Sequence, residues 1–248
     1  LTASITGKER DRSWFDFEDR LVRFLPDVNP LIRPEGMSVD AWCDAKVADL
    51  ERAIHEVGPE RVGAFVAEPI LCSGGVVVPP PGYHARTLEL CRRHDILYVS
   101  DEVVTAFGRL GHWFASEEVF GIQPDFITCA KGLTSGYLPL GACLISDRVM
   151  ERMTGPDHDV LFPNGYTYGG HPVSCAAALE NIAIMEREGI LEHVRAVAPR
   201  FQARLARLLD SPIIGDARGM GLLGCVEGLT EAGRGTPLAV QRDLGARL

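Results

Sequence analysis

Four short apolar runs constrain this chain most. They are Val62 to Ala67, Ile96 to Ser100, Phe126 to Cys129 and Leu140 to Ile145. Each is too short for a buried helix and too uniformly apolar for a strand with one wet face. Runs of this kind suit a sheet covered on both sides. Between the first two, Tyr83 to His94 reads as a helix after Pro80-Pro81-Gly82. Strands alternating with helices predict an α/β fold whose sheet is largely parallel and flanked by helices.

The flanking segments differ in character. Residues 1 to 37 mix Arg, Asp and Pro with aromatics and read as irregular. Ser38 is a helix cap signal, and Trp42, Leu50, Ile54 and Val57 form an apolar stripe ended by Gly58-Pro59. From about Pro172 two long helices follow, Val173 to Arg187 and Ile190 to Leu209. Strands are then expected at Ile213 to Gly215 and Gly221 to Val226. We therefore expect residues 1–172 to be the later portion of a large domain and residues 173–248 part of a smaller C-terminal α+β domain. Asp157, His158 and Asp159 read as an exposed loop. Both ends read as cuts in a longer chain, since Gln241 to Leu248 stops within a helical pattern.

Charge and cysteine usage narrow the function classes. The net charge of -9 argues against nucleic acid as a main partner. No apolar stretch is long enough to span a bilayer, and no signal-peptide pattern opens the chain. Seven cysteines at irregular spacing, without C-x-x-C, suit reduced thiols and a cytoplasmic protein. The seven histidines form no zinc pattern. Gly219 to Gly224 matches G-x-G-x-x-G, but Leu222 to Val226 reads as a strand where a dinucleotide site needs a helix. The tryptophans Trp14, Trp42 and Trp113 read as packing residues rather than a stacking platform.

Two strand ends carry chemistry. Asp101 closes Ile96-Leu97-Tyr98-Val99-Ser100-Asp101, and Lys131 follows Asp125-Phe126-Ile127-Thr128-Cys129-Ala130. A cofactor with a basic ring nitrogen and an aldehyde needs a carboxylate and an amine of this kind. Four ordered motifs surround the pair. They are Ala67-Glu68-Pro69-Ile70 with Ser73-Gly74-Gly75, Ser100-Asp101-Glu102-Val103, Ala130-Lys131-Gly132-Leu133-Thr134-Ser135-Gly136, and Asn164-Gly165-Tyr166-Thr167-Tyr168 with Gly170-His171-Pro172.

On these motifs the chain resembles the class III aminotransferases of fold type I, nearest the omega-aminotransferases. The resemblance implies pyridoxal 5'-phosphate as cofactor. It implies transfer of an amino group from an amine or omega-amino acid to a keto acid such as pyruvate, in two half reactions. Lys131 would form the Schiff base with the cofactor aldehyde and then move a proton as general base and acid. Asp101 would pair with the pyridine nitrogen and keep the ring an electron sink. Val103 would lie under the ring, although as a residue it reads equally as core. Thr167 would bind the cofactor phosphate across a homodimer interface, although alone it reads as a turn residue. Glu68 would pair with a mobile substrate-binding arginine, or else close a strand-to-loop turn. The family's upstream Gly-Ser phosphate loop, its stacking aromatic and its downstream arginine would lie outside residues 1–248. The alternatives on the same fold are an aminomutase, decarboxylase or racemase. A silent chain that keeps only packing or dimerisation is a third class, and nicotinamide binding rests only on the discounted glycines.

Overall fold

The structure is a computed structural model, described for residues 2–8, 12, 16–154 and 165–228. The readings at Trp14, at Asp157 to Asp159 and from Gln241 to Leu248 lie outside the described residues. The chain divides into two compact units, Leu1–Phe65 with Pro79–Ile96, and Val66–Val78 with Leu97–Leu248.

In the first unit, helix α1 (Val39–Val57) begins where Ser38 Oγ accepts the Ala41 N–H at 3.1 Å. Its buried face carries Trp42, Cys43, Lys46, Leu50 and Ile54. Lys46 is a charge on an apolar stripe. It is tolerated because its ammonium lies 2.6 Å from Asp49 and 4.3 Å from the Trp42 ring centroid. Trp42 Nε1 donates to Val28 O at 3.1 Å. Helix α2 (Tyr83–Arg93) packs against α1 with Leu90 and Cys91 fully buried, and Arg86 pairs with Asp44 at 2.7 Å.

The four-stranded sheet has the order β1-β2-β3-β4, with β2, β3 and β4 in the second unit and β1 starting in the first. Strand β1 is Ala64–Ala67, β2 Leu97–Asp101, β3 Phe126–Cys129 and β4 Ala142–Ile145. β2 and β3 run parallel, with Asp101 opposite Thr128. Helix α3 (Ala115–Glu118) lies in the connection between them. β4 departs from the parallel expectation and pairs antiparallel with β3, Cys129 opposite Ala142. The reason is the connection. Residues 130–141 contain one 3-10 turn and no crossover helix, so the chain turns back along the edge.

Helix α4 (Asp147–Thr154) follows β4. Helices α5 (Pro172–Arg187) and α6 (Ile190–Ala206) are joined through Gly189 and pack together. Pro172 opens α5, where its missing N–H is harmless. Strands β5 (Ile214–Met220) and β6 (Leu223–Gly228) form a hairpin. Ile70, Val76, Leu110, Ala115 and Leu223 form one apolar cluster, with Val104 and Met220 packed on it.

The G-x-G-x-x-G stretch is therefore the hairpin turn. Gly221 has φ +59, and a Cβ there would sit 2.8 Å from Arg109 O and from Leu110 Cα. These glycines permit close approach of backbone, not of a phosphate. No described helix is long and apolar enough to cross a membrane, and the described residues contain no cluster that could hold a metal ion.

Candidate active site

The site is built at one end of the two central strands, β2 and β3. Because β2 and β3 are parallel, their carboxyl ends emerge together, where open α/β sheets place ligands. Asp101 is the last residue of β2. Opposite it is Thr128, and Lys131 lies three residues further along, just past the end of β3. The half-buried Asp101 accepts the Val103 N–H on Oδ1 at 3.1 Å. Among the described residues no protein donor hydrogen-bonds its Oδ2. One carboxylate oxygen is thus fixed by its own turn and the other remains open to a ligand N–H.

Lys131 is exposed and opens a 3-10 turn, Lys131–Leu133. Its backbone is in the left-handed region, φ +40. A lysine there is strained by about 1–3 kcal/mol, so its surroundings must over-determine it. They do so from two sides. A Cβ at Gly132 would meet Phe107 Cβ at 2.8 Å, so the turn lies hard against Phe107 and needs glycine. On the other side, Asn181 of α5 donates to Gly132 O at 2.9 Å and to Leu133 O at 3.2 Å.

Glu102, beside Asp101 in the chain, has different surroundings. It is fully buried. Its carboxylate accepts from Ala115 N at 2.7 Å, Ser116 N at 2.8 Å, Ser116 Oγ at 2.6 Å and Thr105 Oγ1 at 3.0 Å. It caps α3, and its acceptors are filled by the protein. Val104, not Val103, packs on the apolar cluster, and Val103 stays half-buried next to Asp101. Glu68 Oε2 accepts the Cys72 N–H at 3.1 Å, so it does close the turn after β1.

Cys72 ties the charges together. Burial raises its thiol pKa to about 12; the carboxylates of Glu68 and Asp101 push it up, and the cations of Lys131 and Arg109 pull it down. Four charged groups from four separate segments therefore act on one thiol. Glu68, Asp101 and Lys131 are among them. Thr167 is not. It sits on an exposed turn, Thr167 to Gly170, and makes no side-chain hydrogen bond among the described residues. Arg109 and Asn181 escaped the sequence reading. Arg109 lies in a run that looks like an ordinary turn. Asn181 had a weak signal, a poor helix former in the middle of an alanine-rich helix.

A half-open carboxylate and an exposed amine at neighbouring strand ends fit a cofactor with a protonated ring nitrogen and an aldehyde. A model of the family described as aminotransferase class-III matches residues 4–245. The chain belongs to the class III aminotransferases. It is 49% identical over 186 residues to a probable aminotransferase of Mycobacterium tuberculosis, covering 75% of this chain and 39% of that protein. It is 45% identical over 192 residues to the putrescine–pyruvate aminotransferase of Pseudomonas aeruginosa, covering 77% of this chain and 41% of that protein. This class III aminotransferase chain thus spans about two fifths of the length of these curated relatives. Among solved structures, an (S)-enantioselective omega-transaminase from Thermomicrobium roseum superposes with TM-score 0.84 at 36% identity, over 93% of this chain and 51% of that one. The omega-transaminase of Pseudomonas jessenii in complex with PMP gives 0.83 at 33% identity, over 94% and 51%. The fold is accordingly that of the fold type I transaminases, an α/β architecture.

Proposed function

We propose that the protein moves an amino group from an amine or omega-amino acid to a keto acid such as pyruvate, using pyridoxal 5'-phosphate. The observation that carries this reading is that Asp101 and Lys131 lie at the carboxyl ends of the adjacent parallel strands β2 and β3, in a chain of the class III family. The cofactor, when bound, supplies an aldehyde that takes up the amino group and a ring that accepts electron density from the carbon being deprotonated.

The chain's own residues would do the rest. Asp101, with Oδ1 held by the Val103 N–H, would keep a proton on the ring nitrogen through Oδ2. Lys131 would hold the cofactor covalently, and its freed Nζ would carry a proton between two carbons. Val103, half-buried beside Asp101, would bear on the ring face. Glu68, fixed at the turn, would stand on the substrate side. Thr167 would donate its hydroxyl to the cofactor phosphate from the partner subunit of a homodimer. Its exposed turn, and the exposed Tyr137, Tyr166, Tyr168 and Leu179 in the same unit, support an interface. A large-domain portion in residues 1–172, a small-domain portion in 173–248 and a cytoplasmic location complete the proposal. Seven cysteines at irregular spacing, without C-x-x-C, suit that location.

Two measurements test it. Added pyridoxal phosphate should give an absorbance band near the visible edge, and Lys131→Ala should abolish it. With an amine donor and pyruvate, alanine should form as the amine disappears. Amine loss without alanine would replace transamination by another reaction of the same lysine.

A further inference from the structure

Lys131 has an unusual backbone, and something must hold it there. Its φ is +40, and Ser135 four residues later has φ +50. Both are residues that rarely adopt this region. The segment between them is tied to one side chain. Asn181 Nδ2 donates to Gly132 O at 2.9 Å and to Leu133 O at 3.2 Å, while Asn181 Oδ1 accepts the Ser135 hydroxyl at 2.7 Å. The amide thus ties the residues that follow Lys131, from Gly132 to Ser135, to one side chain. Gly132 O also accepts the Ser135 N–H at 3.3 Å, which fills its second lone pair. Asn181 stands in the middle of α5, a 16-residue helix, so the anchor is rigid. Phe107 blocks the opposite side, 2.8 Å from where a Gly132 Cβ would be. The turn is held between the Phe107 Cβ and an amide.

We propose that Asn181 is the positioning residue for Lys131. It touches no reacting atom. By holding the carbonyls of Gly132 and Leu133 it keeps the Lys131 backbone left-handed and starts the side chain from one fixed point beside Asp101. Without the amide N–H groups the turn relaxes toward ordinary φ, and Nζ loses its fixed origin. The inference rests on the proposed role of Lys131.

The test uses the holoenzyme and three variants. Asn181→Asp keeps the size and the acceptor for Ser135 but sets a carboxylate oxygen against two carbonyls. Asn181→Ala removes both arms, and Ser135→Ala removes one. The readouts are the pH titration of the visible cofactor band, the rate at which borohydride fixes the cofactor on the Lys131 peptide, kcat and KM, and apo-protein melting. Asn181→Asp should shift the titration midpoint, slow fixation and lower kcat by about 100-fold, with a much smaller change in amine KM. Ser135→Ala should shift the same readouts in the same direction by less. A purely structural asparagine would lower the melting temperature and leave the titration midpoint unmoved, which overturns the proposal. If Asn181→Asp fails to fold, Asn181→Ala, which removes the same donors without adding charge, decides, and an unshifted titration there overturns it. No band in the wild type sinks the role of Lys131 itself, and the positioning role with it. A wild-type band with unshifted variants removes only the positioning role.

Discussion

Asp101 and Glu102 are neighbours in sequence with opposite duties, and substitution should separate them. Glu102 is fully buried and its carboxylate is filled by protein donors from Ala115, Ser116 and Thr105. Glu102→Gln turns an amide N–H toward those donors, so it should cost about 2–3 kcal/mol in urea unfolding. Asp101→Asn keeps its local turn and should leave stability nearly unchanged, while the cofactor band loses intensity and turnover falls. Cys72 offers a third residue-scale outcome. Its thiol is pushed up to about 12 from 9.0, chiefly by burial. The folded chain therefore keeps a proton that the unfolded chain releases above about pH 9. The contribution to stability is full below that pH and falls as pH rises from about 9 to about 12. Alkylation of native protein at pH 8, read by peptide mass spectrometry, should leave Cys72 the slower thiol and the exposed Cys143 the faster.

Elements carry three further predictions. Gly221 makes the tight turn between β5 and β6 at φ +59, with Arg109 O and Leu110 Cα close behind it. Gly221→Ala should destabilise by about 1–3 kcal/mol. Calorimetric titration should detect no NAD binding in either form, since the motif opens a strand and not a helix. Pro199 is exposed inside α6 and lacks the N–H that the helix ladder uses. Pro199→Ala should raise thermal stability by about 1–3 kcal/mol. Elements were also where the sequence spoke most clearly. The apolar runs gave β1 to β4 to within about two residues, but cover on both faces is not seen for the outer strands: β1 alternates exposed and half-buried residues, and three of the four residues of β4 are exposed. The direction of β4 was not legible. Direction depends on whether the connection packs a helix back on the sheet, and residues 130–141 do not.

At the scale of the whole molecule, the family is fixed by a match over residues 4–245 and by relatives of which the chain spans about two fifths. The proposed homodimer belongs to this scale. Light scattering of the holoenzyme should give twice the subunit mass, and Thr167→Ala should weaken pyridoxal phosphate binding without splitting the dimer. Sequence alone determined the chemistry on offer. A carboxylate and an amine closing two successive apolar runs can be named without coordinates, because strand ends follow from local pattern. Their arrangement had to come from tertiary structure. The parallel pairing of β2 with β3 brings Asp101 and Lys131 to one end of the sheet. The contact of Gly132 with Phe107, and of Asn181 with the turn, joins residues 25 to 49 positions apart. Periodicity reports which face of an element is apolar; it carries no record of which distant amide reaches which carbonyl. That selection, and with it the strained backbone of Lys131, was made only when the chain folded.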